Sequence, residues 1–246
     1  MDVTAEDGVR IYCEIQGEGD LLVLNHGLGQ TSRRFREQVP VWSGRFRVVT
    51  WDNRGWGRSG PAERYTLDRF AGDAATLIRH VGGGPAVVYG ISWGGVLALK
   101  LALDHPDLVR ALILDSTSSE VNVAAAARWR QLGDAAEREG LAALDWPLDL
   151  VTEAPGPEEA RAFARACYCV ASTCEQPLTP YLGRVTAPTL VLAGEHDRVA
   201  GVGGSVILAR RIPGAELAIV EGAEHGVMFT APERFRELVE GFLARL

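Results

Sequence analysis

The fold is decided by residues 86–103, which read AVVYGISWGGVLALKLAL. An apolar run leads into the G-x-S-x-G pattern Gly90-Ile91-Ser92-Trp93-Gly94, and a second apolar run follows at once. A strand, a sharp turn and a helix in this order are the setting in which the motif exposes a nucleophilic serine. Side chains at 90 and 94 would collide across so sharp a turn, so glycine is needed there. The stretch therefore predicts Ser92 as a catalytic nucleophile.

Four apolar runs predict the sheet around this turn. They read LLVLN at 21–25, AVVYG at 86–90, ALILD at 111–115 and TLVLAG at 189–194. Each is continuously apolar rather than alternating, as strands buried on both faces are. Helices are expected near 66–80, 93–104 and 203–211, and from Pro232 to the end of the chain. This alternation of strand and helix predicts a doubly wound α/β fold.

The segment 117–183 departs from that alternation. Helical patterns near 121–139 and 157–170 follow one another in it without a strand between them. We predict a helical cap, inserted after the sixth strand between the core segments 1–116 and 184–246, that covers the carboxyl edge of the sheet. A helical excursion elsewhere on the surface is the alternative. Trp129 and Trp146 are candidate substrate-pocket residues that would suit an apolar or aromatic substrate, although core packing would also explain them.

The first strand and the cysteines indicate packing rather than chemistry. Residues 9–16 alternate, which places Val9, Ile11, Cys13 and Ile15 toward the core. The remaining cysteines, which lack the paired spacing and fourth ligand of a zinc site, are Cys167, Cys169 and Cys174. We therefore expect free thiols, with no metal and no organic cofactor.

Composition narrows the function classes. The chain has 246 residues, 47% of them hydrophobic, and a formal net charge of −7. This is enough apolar material for one core, and the negative charge removes the attraction that would hold nucleic acid or an acidic membrane. The acidic beginning does not resemble a secretory signal, and no run approaches the roughly 18 apolar residues of a membrane span. We expect a cytoplasmic protein with a small-molecule substrate and neither a nucleic-acid nor a membrane partner. Its oligomeric state is left open, with a homodimer among the alternatives.

A serine hydroxyl needs a base to become a nucleophile, and the base needs an orienting carboxylate. His225 is the candidate base, because it lies in the loop EGAEHGVMF between the apolar run AELAIV and the last helix. That loop belongs at the same sheet edge as Ser92. The other histidines lie in a strand loop, at helix ends or beside the acid, and they are His26, His80, His105 and His196.

The orienting acid should follow the serine and precede the histidine in this order of elements. Asp197 ends the run TLVLAGEHD, and the 28 residues from it to His225 accommodate one helix and one strand. Asp115, which ends the run ALILD, is the competitor, since a carboxylate at that strand end also reaches toward the histidine. We favour Asp197 and keep Asp115 as the alternative.

Two backbone N–H groups are expected to stabilise the oxyanion. One belongs to Trp93, directly after the serine, at the positive end of the following helix. The other belongs to Leu28 in the glycine-rich loop His26-Gly27-Leu28-Gly29, where glycines let the backbone turn toward the site. The side chain of Leu28 would help to floor the substrate pocket, and Gly27 is a further candidate pocket residue.

A second glycine pattern matches a dinucleotide-binding motif but is not followed by the helix that such a motif requires. Gly55-Trp56-Gly57-Arg58-Ser59-Gly60 satisfies G-x-G-x-x-G after the strand RVVTWD. A dinucleotide site needs a helix to open at those glycines, whereas Pro61 and the polar AERY follow here. No nucleotide cofactor is predicted.

With these residues assigned, the chain resembles the α/β-hydrolase family over nearly its whole length. The matching motifs are HGLG at 26–29, DNRGWGRS at 52–59, GISWGG at 90–95, HPDLV at 105–109, AGEHD at 193–197 and GAEH at 222–225. The resemblance implies a mostly parallel eight-stranded sheet with helices on both faces and a small helical cap. Size and cap resemble the carboxylesterase and 3-oxoadipate enol-lactonase group, although Trp93 stands where methionine is common there. Serine in the turn argues against dehalogenases and most epoxide hydrolases, which place aspartate there.

The expected reaction is therefore hydrolysis of a carboxylic ester through an acyl-enzyme on Ser92. His225 would act as base, Asp197 would orient it, and the N–H groups of Leu28 and Trp93 would hold the oxyanion. A lactonase or a carbon-carbon bond hydrolase of ring-compound degradation is the alternative within the family. A ligand-binding receptor with negligible turnover is the alternative from another class.

Overall fold

The structure is a computed structural model that describes residues 1–146 and 156–246. Within these residues eight strands form one sheet. They are β1 (Asp2–Thr4), β2 (Arg10–Gln16), β3 (Asp20–Asn25), β4 (Phe46–Trp51), β5 (Ala86–Ile91), β6 (Val109–Asp115), β7 (Thr189–Gly194) and β8 (Glu216–Val220). Their order across the sheet is β1-β2-β4-β3-β5-β6-β7-β8. β2 is antiparallel to β1 and β4, and all the other neighbours are parallel. The prediction of a mostly parallel, eight-stranded sheet is confirmed.

The described helices pack on both faces of this sheet, as predicted. They are α1 (Val39–Trp42), α2 (Leu67–Val81), α3 (Trp93–Asp104), α4 (Val123–Glu139), α5 (Pro157–Ser172), α6 (Gly201–Arg211), α7 (Val227–Thr230) and α8 (Pro232–Leu243). Short 3-10 helices occupy Ser32–Phe35, Pro106–Leu108, Leu141–Ala143 and Thr179–Arg184. None of the helices in the described ranges has the length and apolar character that crossing a bilayer requires.

The apolar runs form strands because both of their faces are covered. In β3, Leu21 and Val23 join the core cluster under α2 and α3, while Leu22 and Leu24 join the cluster under α8. All four are at most 3% exposed. Burial of each such side chain stabilises the fold by about 1.5–3 kcal/mol relative to its exposure to water. Because both faces are buried, the runs are continuously apolar and could be recognised from sequence alone.

The antiparallel end of the sheet differs from the expectation in two ways. The three-residue strand β1 was not predicted. Ile15 was predicted to face the core but is 38% exposed, whereas Ile11 and Cys13 are buried. β1 pairs with Arg10, Ile11 and Tyr12 and ends there, so that Ile15 lies beyond the part of β2 that β1 flanks.

The helical segment between β6 and β7 packs against the carboxyl edge of the sheet. α4 approaches α5 closely at Gly133, where a Cβ would lie 2.6 Å from the ring of Tyr168. α5 in turn packs on the loop after β4, with the ring centroids of Phe163 and Trp56 6.1 Å apart. The boundaries 117 and 183 of the cap stay predictions, and residues 147–155 within it lie outside the described residues.

Candidate active site

The turn between β5 and α3 holds Ser92 in an unusual conformation. Its φ is 53° and its ψ is −118°, a region that residues with a side chain rarely adopt. A Cβ at Gly90 would overlap the carbonyl oxygen of Gly94, and a Cβ at Gly94 would overlap that of Asn25. The expected collision across the turn is confirmed for Gly90, whereas Gly94 is required by its close approach to β3. The strain belongs to a turn that the surrounding backbone fixes.

The neighbouring strand fixes the same turn. The Ser92 N–H donates to the Asp115 carbonyl oxygen at 2.9 Å. The hydroxyl of Thr117 donates to the Ser92 carbonyl oxygen at 2.7 Å. Both contacts come from the end of β6, so Ser92 is set at the carboxyl edge of the sheet where the parallel strands end together.

His225 and Asp197 form a hydrogen-bonded pair at this edge. Nδ1 of His225 lies 2.9 Å from Oδ2 and 3.1 Å from Oδ1 of Asp197. The carboxylate is fully buried, while the imidazole is 25% exposed. Burial alone would raise the pKa of Asp197, but the hydrogen bond with His225 and the N–H groups of Ala200 and Val199 outweigh it. The pKa of Asp197 is therefore below its usual value, and the carboxylate is held in its charged form.

Asp115, the competing acid, has different partners. It is fully buried and accepts hydrogen bonds from the N–H groups of Val227 at 2.9 Å and Met228 at 3.0 Å. The hydroxyls of Tyr89 and Ser116 donate to it as well, each at 2.9 Å. Burial raises the pKa of Asp115 in spite of these donors. Asp115 thus fixes the backbone that follows His225, while the imidazole itself meets Asp197.

Two sets of contacts link the residues around the His225–Asp197 pair to those around Ser92. A Cβ at Gly226 would lie 2.6 Å from Cδ1 of Ile91, so the residues that adjoin the histidine and the serine are in contact. On the other side, the Val199 and Ala200 N–H groups that bind Asp197 belong to residues lining the pocket that contains Ser92. The hydroxyl of Ser92 makes no hydrogen bond with His225 in the described residues, and such bonds often tighten only when substrate is bound.

We call the pocket above the serine the inner pocket. It has a volume of about 350 Å³, and its walls include Leu28, Ser92, Thr117, Glu120, Trp129 and Val170. Residues of α4 and α5 thus face Ser92 across it. Among the described residues, Glu120 is the one charged side chain in these walls.

The two expected oxyanion donors both border this pocket. Leu28 and Trp93 line it beside Ser92, and no hydrogen bond within the described residues engages either backbone N–H. A Cβ at Gly27 would lie 3.8 Å from the Cβ of Ser92, so the glycine-rich loop lies directly beside the serine. Two N–H groups without an acceptor, next to a strained serine, are what an oxyanion site requires.

The tryptophans separate into core and pocket residues. The indole of Trp93 is buried, donates to Oδ1 of Asn53 at 2.9 Å and packs edge-on against Phe70, so packing explains it. Trp129 lines the inner pocket. Trp146 packs edge-on against Trp129 with ring centroids 5.5 Å apart, and its Nε1–H donates to the Leu28 carbonyl oxygen at 3.4 Å.

The loop after β4, which contains the second glycine pattern, makes structural contacts. The helix that follows it, α2, begins only at Leu67, well after the glycines. Asp52 accepts the N–H groups of Ser32 at 2.7 Å and Arg58 at 2.9 Å, and the fully buried Arg54 pairs with Asp73 at 2.6 Å. These contacts tie the segments after β3 and β4 to α2 beneath the site.

Sequence reasoning missed the supports of the site. Ser116 has a positive φ of 52°, and its hydroxyl accepts the Gly226 N–H at 2.9 Å while donating to Asp115. Its partner is 110 residues away in sequence. No local pattern signals such a contact, although a polar residue directly after a buried strand marks the position as one to inspect.

Comparisons with known proteins agree with this architecture. Residues 20–139 match the family model described as alpha/beta hydrolase fold, and residues 155–245 match one described as TAP-like protein. The chain is 26% identical to 3-oxoadipate enol-lactonase 2 of Acinetobacter baylyi, over 99% of this chain and 96% of that protein. It is 31% identical to the magnesium-chelatase 30 kDa subunit of Rhodobacter capsulatus, over 83% of this chain and 80% of that one.

A solved esterase of Thermogutta terrifontis superposes with a TM-score of 0.83 at 26% identity, covering 100% of this chain and 98% of that one. The chain belongs to the α/β-hydrolase superfamily, and it is a hydrolase of that fold.

Proposed function

We propose that this hydrolase cleaves carboxylic esters of small substrates through an acyl-enzyme on Ser92. The observation that carries the proposal is the strained Ser92 turn, which is packed against the loop of a hydrogen-bonded His225–Asp197 pair. A serine is a weak nucleophile by itself, and a base oriented by a buried carboxylate is the arrangement that activates it.

The reaction follows from these positions. His225 takes the Ser92 proton as the oxygen attacks the ester carbonyl, and the N–H groups of Leu28 and Trp93 stabilise the oxyanion that forms. The protonated imidazole then gives its proton to the leaving alcohol. A water molecule, deprotonated by the same imidazole, releases the acid from Ser92 in the second half of the cycle. Asp197 keeps Nδ1 of the imidazole protonated and stabilises its charged form.

Lactone hydrolysis is a second candidate function. It is supported by the similarity to 3-oxoadipate enol-lactonase 2 over 99% of this chain. The same serine chemistry opens a lactone, and the alcohol then stays joined to the acyl group. Product analysis with one enol-lactone beside a series of open-chain esters separates the two candidates.

The test is hydrolysis of nitrophenyl esters from acetate to decanoate by the wild type and by Ser92→Ala. We expect Ser92→Ala to lose about 10⁴-fold or more in kcat, because loss of the nucleophile disables the whole triad. Mass spectrometry of the wild type during turnover should find the acyl group on the peptide that contains Ser92.

Ser43→Ala is the matched control, because Ser43 lies at the end of α1 and outside the inner pocket. It should keep the wild-type rate. Circular dichroism establishes that each variant is folded. Near-wild-type turnover by folded Ser92→Ala would refute the proposal.

A further inference from the structure

A second pocket adjoins the inner pocket, and we call it the outer pocket. It has a volume of about 250 Å³, and its walls include Arg128, Trp129, Trp146, Arg198 and Val199. Arg128 comes from α4, and Arg198 follows β7, so two separate parts of the chain supply its cations. Trp129 and Trp146, packed edge-on, form an aromatic wall of this pocket.

The two pockets share part of their walls. Ala125, Trp129 and Val199 line both of them. Trp146 of the outer pocket also donates to the carbonyl oxygen of Leu28, which lines the inner pocket. The two pockets are therefore adjacent. A substrate that spans both of them would have its scissile carbonyl near Ser92 and its far end against the aromatic wall.

The charges in the two pockets have opposite signs. Among the described residues, neither Arg128 nor Arg198 forms an ion pair, and no acidic side chain lines the outer pocket. The neighbouring Arg130 on α4, by contrast, is paired with Glu175 at 2.6 Å. In the part of the chain that the structure describes, Glu120 forms no ion pair and no cation lines the inner pocket. In a chain with a net charge of −7, two exposed guanidinium groups that form no ion pair within the described residues make one pocket a local site for an anion.

We propose that the outer pocket is an anion subsite, which binds a carboxylate of the substrate that is remote from the scissile ester. This inference rests on the proposed function. Guanidinium groups bind carboxylates through paired, charge-assisted hydrogen bonds, and the indoles suit the apolar chain that joins the two ends of the substrate. Glu120 repels a carboxylate that reaches only the inner pocket. The enzyme therefore distinguishes substrates by the distance of the carboxylate from the scissile ester as well as by its presence.

The experiment compares matched charged and neutral esters. One series consists of nitrophenyl half-esters of straight-chain dicarboxylic acids, each paired with the neutral ester of the same length. A second series places the carboxylate on the alcohol side, as butyrate esters of ω-hydroxy acids paired with butyrates of plain alcohols. For the wild type, the ratio of kcat/KM for charged over neutral substrate should be below one for the shortest chains and above one for longer chains in at least one series.

Three variants test which residues set that ratio. The double variant Arg128→Met/Arg198→Met should lower the ratio for long chains about tenfold, through a higher KM for the charged substrate. Arg130→Met is the matched control and should leave the ratio unchanged, since Arg130 does not line either pocket. Glu120→Gln should raise the ratio for the shortest charged substrates.

The outcomes of these measurements test the anion subsite independently of the proposed ester hydrolysis. A wild-type ratio that does not depend on length in either series, or a ratio unaffected in the double arginine variant, would overturn the subsite while leaving ester hydrolysis intact. If the wild type cleaves no ester, calorimetry of long-chain dicarboxylates with Ser92→Ala decides the matter. Binding that weakens when both arginines are replaced supports the subsite, and no difference overturns it.

Discussion

At the scale of single residues, the conformation of Ser92 depends on two glycines. Gly94 lies against the backbone carbonyl of Asn25, so Gly94→Ala forces the turn away from β3. We expect a loss of about 2–3 kcal/mol in the free energy of unfolding, as for other overpacked sites, together with a large loss of kcat. Urea unfolding monitored by fluorescence, with ester hydrolysis in parallel, measures both.

Gly72→Ala is the control for this substitution. Gly72 lies in α2 with nothing within 4 Å of a Cβ, so alanine should stabilise the helix by up to about 1 kcal/mol. Equal effects of the two substitutions would mean that the close approach at Gly94 does not constrain the turn.

A second prediction for a single residue concerns the carboxylate of Asp197. Asp197→Asn keeps the shape of the side chain but removes the charge that orients and stabilises the imidazole, so kcat should fall by about 10³–10⁴-fold near neutral pH with little change in KM. Because the pKa of Asp197 is below its usual value, the wild-type carboxylate remains ionised where activity begins to fall with acid. The acid limb of kcat/KM should therefore fit one protonation, and a fit that requires two would contradict this assignment.

At the scale of elements, β6 controls the loop that carries His225. Both oxygens of Asp115 accept from the first turn of α7, through Val227 and Met228. Asp115→Asn replaces one acceptor oxygen with an NH2 group that faces another donor. We expect about 3 kcal/mol of destabilisation, a lower kcat and slower labelling of Ser92 by a fluorophosphonate, because the displaced loop carries the base that activates the serine. Unfolding, turnover and the labelling rate measure the three effects. Exposed Asp107→Asn on the 3-10 helix Pro106–Leu108 should change none of them, and an Asp115→Asn protein of wild-type stability and kcat would exclude this role.

The elements show why part of the molecule could be predicted from sequence. β3, β5, β6 and β7 are buried on both faces, so apolar composition alone identifies them. The turn at Ser92 was predictable because its glycines and serine are adjacent in sequence. α7 has four residues, and the contact from Asp115 to Val227 spans 112 positions, so neither left a local pattern. Ile15 was assigned wrongly because alternation gives the face of a strand but not how far along the strand that face is covered.

At the scale of the whole molecule, buried charges join distant loops beneath the site. Arg54 pairs with Asp73 of α2 and with Asp7 of the loop between β1 and β2. Asp52 holds the N–H group of Ser32, in the segment after β3, and that of Arg58, in its own loop after β4. These groups fix the loop after β4, on which Trp56 of the α5 contact lies. The stability of the entire chain should therefore depend on the ionisation of such carboxylates.

For Asp52, the direction in which stability changes with pH follows from its pKa in the folded protein. Burial alone would raise its pKa, but hydrogen bonds from Ser32 and Arg58 outweigh burial, so the pKa in the folded protein is below the unfolded value of about 3.9. Its contribution to stability is complete above the unfolded value and is lost as pH falls through the folded value. Asp52→Asn should cost about 2 kcal/mol near neutral pH, and its difference from wild type should shrink as acid protonates the wild-type carboxylate. Urea unfolding of both proteins from neutral pH to about pH 3 measures this; a difference that stays constant or grows toward acid would show that Asp52 is not held in its charged form by the fold.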